Sequence, residues 1–227
     1  MALYAIADTH LSFGTDKPMD SFPGWNDYVK RIEENWNKLI CENDSVVIAG
    51  DISWAMNFDE LRADFEFINR LNGEKIIIKG NHDYWWNTLS KMNKFIDENG
   101  FNSIKILYNN SYEACGVSIC GSRGWFFESD EAHDEKILIR EVGRIKRSIE
   151  SAQSDEKIAF LHYPPITTNS RCEEIISLLK EKGIKKCYYG HLHGEAARFA
   201  VDDNVEGIDF ELISCDRLKF VPKLIKR

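Results

Sequence analysis

The sequence predicts an α/β fold built on mixed sheets, and three observations support that class. Short apolar runs that favour β-strands alternate along the chain with segments of helical periodicity. In the first half the order is strand, helix, strand, which predicts right-handed crossovers between parallel strands. The more closely spaced strands within 103–121 and 196–215 indicate antiparallel hairpins. Parallel and antiparallel pairs in one chain imply mixed sheets.

The elements follow from the apolar pattern. The predicted strands are residues 3–7, 45–49, 75–79, 103–108, 115–121, 157–162, 186–190, 196–201 and 208–215. The predicted helices are 27–41, 58–71, 88–99, 131–153 and 171–182. Asn57 followed by Glu60 resembles a capping box at the start of the second helix, and Gly183 is the expected end of the last one.

Three segments are predicted to lack regular structure. Residues 11–26 and 122–130 are loops that begin where strands end, and the basic segment 219–227 is expected to be a solvated tail. Long loops in compact domains are usually functional or disordered. The two loops are therefore candidates to contact a ligand or to close over it.

Length and composition fit one globular domain, residues 1–227, with 43% apolar residues. No apolar stretch approaches the length of a membrane span, so no membrane partner is expected. The net charge of −8 repels long polyanions, which makes extended nucleic acid an unfavourable partner. Met1-Ala2-Leu3-Tyr4 lacks a basic leader region, and the six cysteines form no CxxC pair. Both observations predict a cytoplasmic protein with reduced thiols and leave its oligomeric state open.

Five of the predicted strands end in residue types that commonly bind metal ions. The endings are Asp8-Thr9-His10, Gly50-Asp51, Gly80-Asn81-His82-Asp83, His162 and Gly190-His191-Leu192-His193. Residues i and i+2 of an extended segment point to the same side, so Asp8 and His10 can face one cation. Ligands of open α/β sheets bind at the carboxyl ends of the strands. The sequence therefore predicts a metal site at that end.

The donor set indicates two ions. Without His82 and Asp83, the endings supply two aspartates, one asparagine and four histidines, which are too many for one tetrahedral zinc. They suit two five- or six-coordinate ions bridged by Asp51, and mixed imidazole and carboxylate ligands favour Mn, Fe, Zn or Ni. Two such ions activate a shared water for attack at phosphorus. The carboxylate of Asp83 would orient the His82 ring and raise the pKa of His82. His82 would then protonate the leaving oxygen.

The ordered set D-T-H, G-D, G-N-H-D, H and G-H-L-H resembles the calcineurin-like metallophosphoesterases, from residue 8 to residue 193. The resemblance implies two packed mixed sheets flanked by helices, a four-layer α-β-β-α sandwich with its metals at the carboxyl ends of the strands. It implies two divalent ions, with manganese favoured, and His82 as the catalytic histidine with Asp83 as its partner. The first metal would be held by Asp8, His10, Asp51 and His193, and the second by Asp51, Asn81, His162 and His191.

One departure from the family narrows the substrate. The Ser/Thr protein phosphatases of this family follow Gly-Asp with a segment ending Asp-Arg-Gly, whose arginine grips phosphate. Here Gly50-Asp51 is followed by Ile52-Ser53-Trp54-Ala55-Met56, without that arginine. Arg123, at another strand end, is a candidate replacement, although a plain surface role is the simpler interpretation.

Tryptophans also follow several strand ends, namely Trp54, Trp85, Trp86 and Trp125. They either pack helices onto the sheet or form an aromatic rim that stacks a flat group. In the second interpretation Trp54 and Trp85 contact substrate, and Phe13, Trp25 and Phe126 join them. Such a rim favours a nucleotide or aryl phosphoester.

The sequence thus predicts a phosphoesterase in which a metal-bridging hydroxide attacks a small phosphomonoester or phosphodiester. Three further functions fit the residues less well, namely a Ser/Thr protein phosphatase, a nuclease and a non-catalytic metal-binding scaffold. His133 lies outside the motifs and is interpreted as a surface helix residue.

Overall fold

The computed structural model describes residues 1–125 and 135–227. The helices are α1 (Tyr28–Leu39), α2 (Phe58–Arg70), α3 (Leu89–Asn99), α4 (Glu135–Glu150) and α5 (Glu173–Glu181). The strands are β1 (Leu3–Ile6), β2 (Ser45–Ala49), β3 (Glu74–Ile78), β4 (Ile104–Ile106), β5 (Tyr112–Ala114), β6 (Val117–Ser122), β7 (Lys157–Leu161), β8 (Lys186–Tyr189), β9 (Asn204–Val205), β10 (Ile208–Leu212) and β11 (Lys223–Lys226). The first residues predicted for the fourth helix, including His133, fall outside the described ranges, as does Phe126.

The strands form two mixed sheets. The first has the order β11-β1-β2-β3-β4, and the second has the order β5-β6-β7-β8-β10-β9. Strands β1 to β4 are parallel and β11 is antiparallel to β1. In the second sheet β6, β7, β8 and β10 are parallel, with antiparallel β5 and β9 at the edges. The predicted α/β class with mixed sheets is confirmed.

The two sheets pack face to face between two layers of helix. Side chains alternate across each strand, so Val47 joins Phe160 in the core between the sheets. Its neighbour Ile48 faces outward and belongs to the core that contains Trp36 of α1. Ile145 of α4 belongs to a third core on the outer face of the second sheet. This arrangement is the four-layer α-β-β-α sandwich that the resemblance implied.

The predicted helix boundaries have local causes. Asn57 caps α2, because its Oδ1 accepts hydrogen bonds from the main-chain N–H of Asp59 and Glu60 at 3.0 and 3.1 Å. The Glu60 carboxylate reaches back to the N–H of Met56 at 2.8 Å. Both contacts satisfy donors that a helix start leaves free. At the other end of α5, Gly183 follows the last turn with φ +73°, a conformation that glycine adopts without strain.

Three expectations about the strands were wrong. The segment predicted as strand 196–201 is a 3₁₀ helix, Gly194–Phe199, and β9 takes its place as the partner of β10. β4 pairs in parallel with β3 rather than in a hairpin, because α3 carries the chain back to the same sheet edge. The predicted tail 219–227 contains β11, which pairs with the outer edge of β1. A strand that is completed by a partner more than 200 residues away leaves little local signal.

Among the described residues, no helix has both the length and the apolar character needed to cross a bilayer.

Candidate active site

Five strands carry the predicted site residues to one end of the sandwich. In the first sheet β1, β2 and β3 end just before Asp8, Asp51 and Asn81. In the second sheet β7 and β8 end just before His162 and His191. Parallel strands of one sheet present their carboxyl ends at the same edge. The two packed sheets therefore bring both sets together.

The backbone at this end is held in an unusual conformation. Asp8, His10, Asp51 and His191 have φ values of 58°, 44°, 49° and 71°. Residues other than glycine rarely adopt this left-handed region, and they persist there only where the surroundings hold them. The N–H of Asp8 donates to the carbonyl of Gly50 at 3.0 Å, and the N–H of His10 donates to that of Asp51 at 3.0 Å. The turns after β1 and β2 thus fix one another.

Two glycines allow the site residues to approach closely. A Cβ on Gly80 would lie 2.1 Å from the Asp51 nitrogen, and one on Gly50 would lie 2.6 Å from His162 Nδ1. Gly50 also has φ +88°. Any larger residue at either position would displace Asp51 or His162.

A first cluster consists of Asp8, His10 and Asp51, whose donor atoms all lie within 4.8 Å of one another. The exposed fraction is 0% for His10 and 1% for Asp51. Both ring nitrogens of His10 and Oδ2 of Asp51 are buried without a hydrogen-bond partner among the described residues. The ring of His193 lies 5.2 Å from that of His10. Buried polar atoms are almost always paired, so this cluster has the character of a ligand set for a cation.

A second cluster consists of Asp51, His162 and His191, again with donor atoms within 4.8 Å. Asn81 Oδ1 lies 2.7 Å from His162 Nε2 and 2.9 Å from His191 Nδ1. His162 Nδ1 lies 3.1 Å from the carbonyl oxygen of Ala49, which directs Nε2 toward the centre. Asp51 belongs to both clusters. The structure therefore brings together all seven predicted ligand residues.

The protonation states suit cation binding. Burial lowers the pKa of His162 to about 3 and that of His191 to about 2, and it also lowers the pKa of His10. These imidazoles are therefore neutral, as metal ligands must be. Burial, followed by repulsion from Asp51, raises the pKa of Asp8, and burial raises the pKa of Asp51. A divalent cation would offset both effects, so the donor set fits a metal pair.

His82 stands beside the clusters. Its N–H donates to Asp51 Oδ1 at 2.8 Å, and its Nδ1 lies 3.2 Å from the hydroxyl of Tyr84. Burial lowers the pKa of His82, whereas the charge of Asp51 raises it. The ring is half-buried and lies 4.5 Å from the Trp54 ring.

Asp83 does not orient His82 in the manner that the sequence suggested. Its carboxylate accepts hydrogen bonds from the N–H of Gly80 at 2.6 Å, the N–H of Ile52 at 2.9 Å and the indole of Trp85 at 3.1 Å. Among the described contacts of this carboxylate, none is with the His82 ring. Burial raises the pKa of Asp83 to about 7. Asp83 ties the turn after β2 to the turn after β3.

The tryptophans divide into two groups. Trp54 is half-buried and stacks on the His10 ring at 4.9 Å and 22°. Trp85 is only 2% exposed and packs against Phe65, so little of its surface is open to a ligand, and its contact with substrate stays a prediction. Trp125 is also buried in a core. The aromatic surface beside the clusters is therefore centred on Trp54.

Two residues near the site were missed by sequence reasoning. Lys17, in the 11–26 loop, places its ammonium 5.2 Å from the centre of the Trp54 ring. Burial is the main cause of the lowered pKa of His82, and the charge of Lys17 adds to it. Tyr84 contacts the His82 ring. Lys17 lies inside a long loop, and Tyr84 directly follows Asp83 but is neither a metal-ligand residue type nor a tryptophan. Arg123 lies close by, because its carbonyl accepts the N–H of His162 at 3.1 Å. Its Nε is buried and has no hydrogen-bond partner within residues 1–125 and 135–227.

Comparison with known sequences finds one family and one curated relative. A family model described as calcineurin-like phosphoesterase matches residues 1–195. An uncharacterised protein of Methanocaldococcus jannaschii is 30% identical over 86 residues, which cover 36% of this chain and 46% of that protein. The match thus spans about half the length of the relative.

Several solved structures share the fold. A phosphopantetheinyl hydrolase from Mycobacterium tuberculosis superposes with a TM-score of 0.57 at 15% identity, covering 99% of this chain and 95% of that one. A protein of unknown function from Aquifex aeolicus gives 0.56 at 18% identity, with coverages of 98% and 95%. A purple acid phosphatase from yellow lupin seeds gives 0.53 at 10% identity, with coverages of 100% and 45%. At these identities the likeness shows the fold alone.

Proposed function

The chain belongs to the calcineurin-like phosphoesterase family, and from that premise we propose that it hydrolyses a small phosphoester with two divalent metal ions. The observation that carries the proposal is the pair of ligand clusters that share Asp51. A bridging carboxylate between two sets of donors is the arrangement that two-metal phosphoryl chemistry requires.

Each proposed metal has its own residues. Asp8, His10, Asp51 and His193 would hold the first, and Asp51, Asn81, His162 and His191 would hold the second. Their support is the unpartnered ring of His10 and the contacts of Asn81 with two imidazoles. Mixed imidazole and oxygen donors favour Mn, Fe, Zn or Ni, and we place manganese first. When bound, the ions would supply Lewis acidity and an activated water.

His82 is the proposed proton donor. Its Nδ1 is engaged by the Tyr84 hydroxyl, which leaves Nε2 to hold a proton for the leaving-group oxygen. Trp54 contacts both the His82 and the His10 rings, so it would hold the acid against the metal ligands. Positioned acids of this kind contribute about 10²–10⁴-fold to rates.

Arg123 and Lys17 are the proposed phosphate contacts. Arg123 stands next to the strand end that carries His162, and Lys17 stands over Trp54. Either cation would offset the charge of a phosphoryl group, as the missing arginine does in the protein phosphatases. If Arg123→Ala left KM and kcat unchanged, that residue would have no part in binding.

We propose that residues 1–227 form one domain, because the sheets share a core and contribute jointly to the site. Main-chain hydrogen bonds also join the two sheets directly. The N–H of Ala7 donates to the carbonyl of Ile213 at 2.8 Å, and the carbonyl of Ala7 accepts the N–H of Cys215 at 2.9 Å. All six cysteines are free, and the cytoplasmic location stays a prediction. The nucleotide or aryl nature of the substrate and the choice between monoester and diester also belong to the proposal.

The test begins with metal-stripped protein reloaded separately with Mn, Fe, Ni, Zn and Mg. We expect hydrolysis of bis-aryl or mono-aryl phosphate to return with a transition metal, and Asp51→Asn to reduce it strongly. Solvent ¹⁸O should enter the phosphoryl product in a single turnover, because no covalent phosphoenzyme is proposed.

Three outcomes would contradict the proposal, each in a different direction. Two bound metals without turnover of any phosphoester would support a metal-binding scaffold. Turnover of phosphopeptides far above that of small phosphodiesters would support a Ser/Thr protein phosphatase. Manganese-dependent degradation of DNA or RNA would support a nuclease.

A further inference from the structure

A cavity of about 440 Å³ opens beside the first cluster. Its wall begins at His193 and continues through Gly194 and Glu195. The rest of the lining comes from the 11–26 loop, through Met19, Phe22, Pro23 and Trp25. Pockets of this size are typical of small-molecule sites. The cavity includes one of the proposed metal ligands, so whatever fills it lies next to the reacting centre.

The loop side of the cavity is apolar and firmly supported. Trp25 is 2% exposed, and its ring lies 6.0 Å from that of His10 and 6.2 Å from that of His193. It also packs edge-on against Phe220 at 5.2 Å. Phe22, in contrast, is 53% exposed. An exposed aromatic beside a supported one offers apolar area that a ligand can cover.

The charge of the lining is one-sided. Apart from His193, the ionisable residue among the lining residues is Glu195, which is exposed. Within the part of the chain that the structure describes, no lysine or arginine lines the cavity. A carboxylate there would repel a second phosphate or a carboxylate on the substrate, because like charges a few ångströms apart disfavour binding.

We propose that this cavity binds the leaving group of the substrate, and that this group is an uncharged apolar alcohol or phenol. The inference rests on the proposed function and adds a substrate class to it. Phe22 would supply the contact area, and Glu195 would discriminate against leaving groups with further negative charge, such as polyphosphates.

The chain offers a matched control for Phe22. Phe13 lies in the same loop and is 52% exposed, against 53% for Phe22, but it contacts Phe67 and lines a different hollow with Val29. Phe22→Ala and Phe13→Ala therefore remove the same exposed side chain from two sides of one loop.

The first measurement is equilibrium binding of phenylphosphonate and methylphosphonate to the metal-loaded protein by calorimetry. Neither compound has an ester bond to hydrolyse. We expect Phe22→Ala to weaken phenylphosphonate binding about tenfold, to leave methylphosphonate binding unchanged, and Phe13→Ala to change neither. Equal behaviour of the two variants would overturn the proposal.

The second measurement concerns charge. Glu195→Gln should raise kcat/KM for 4-carboxyphenyl phosphate about fivefold relative to phenyl phosphate. An unchanged ratio would remove Glu195 from the proposal. These failures differ from failure of the proposed function, in which the wild-type protein with two metals bound would neither turn over phenyl phosphate nor bind either phosphonate.

Discussion

The two metal-ligand clusters share Asp51 but are prepared in different ways. In the first cluster His10 is completely buried, and both its ring nitrogens lack a hydrogen-bond partner in the part of the chain that the structure describes. In the second, Asn81 contacts two imidazoles and the carbonyl of Ala49 holds His162. One site is therefore shaped by burial and ring packing, and the other by polar contacts.

This difference predicts unequal behaviour of the two ions. Electrostatic attraction is stronger where water is excluded, so the first cluster should hold its ion more tightly and exchange it more slowly. The second ligand set has two partly buried members, His191 and Asn81, whereas the first set has one, His193. The second ion should therefore leave first on exposure to a chelator.

Asp51→Asn should have the largest effect, because Asp51 belongs to both clusters and its loss would weaken both metal sites. We expect kcat/KM to fall about 10⁴-fold, since both Lewis acids would be lost, and elemental analysis to find less of each metal. Asp44→Asn is the matched control. It changes a buried aspartate at the opposite end of β2, where the carboxylate accepts the N–H of Ala2 and Cys41. If Asp51→Asn kept two ions and full activity, the shared-ligand assignment would fall.

His82→Ala should leave both clusters intact and still slow the reaction. The expected loss in kcat is about 10³-fold, as for the removal of a positioned proton donor, with two metals retained per chain. It should be smallest for esters of acidic phenols, whose leaving oxygens need little protonation. A uniform loss across leaving groups would argue against an acid role.

Asp64 contacts the segments that follow two residues of the first cluster, and its titration makes the stability of the protein depend on pH. Its carboxylate accepts hydrogen bonds from Ser53 Oγ and, at 2.8 Å, from the N–H of Phe13, so it holds the segments that follow Asp51 and His10. Burial raises the pKa of Asp64 to about 6. The folded protein then binds a proton more tightly than the unfolded chain. Stability from this group is fully present below about pH 4 and is lost as the pH rises through about 6.

The loss amounts to about 3 kcal/mol of unfolding free energy from Asp64 by neutral pH. Asp64→Asn should flatten that part of the curve, measured by urea unfolding of metal-free protein between pH 4 and 7. Parallel curves for the variant and the wild type would show that Asp64 does not titrate in this range.

Asn81→Ala should have the smallest effect of these variants, because it removes one neutral ligand from the second cluster. A neutral amide oxygen stabilises a bound divalent ion less than a carboxylate does. We therefore expect the affinity for the second ion to fall about tenfold. The other ion should be unaffected. Competition with a metal-binding dye would measure both constants. His10→Ala is the converse variant, and it should weaken the more tightly held ion instead. Simultaneous loss of both ions in either variant would mean that the clusters are not separable.

The sequence predicted which strand-end residues would lie together better than it predicted what surrounds them. Asp8, Asp51 and His162 each follow an apolar strand, and parallel strands must place such residues at one edge. The left-handed turns could not be derived from composition. Trp54 and Trp85 both follow a strand end in sequence, yet one stacks beside His10 and the other is buried on Asp83. That choice depends on packing between distant helices.

The misassigned elements share a physical cause. β11 exists through its pairing with β1, and the 3₁₀ helix Gly194–Phe199 replaces a strand because β9 already occupies that edge. Such decisions are made between segments far apart in the chain. The segments that were correctly predicted, such as α2 with its Asn57 cap, carry their own local signal.

The four site residues with left-handed backbone conformations affect how variants of this protein would respond to a stability screen. Glycine at Asp8, His10, Asp51 or His191 would relieve backbone strain of about 1–2 kcal/mol per position. In metal-free protein such replacements would also remove crowded, desolvated side chains. A screen for thermal stability alone would therefore erode the ligand set, and only a screen that also requires bound metal would preserve it.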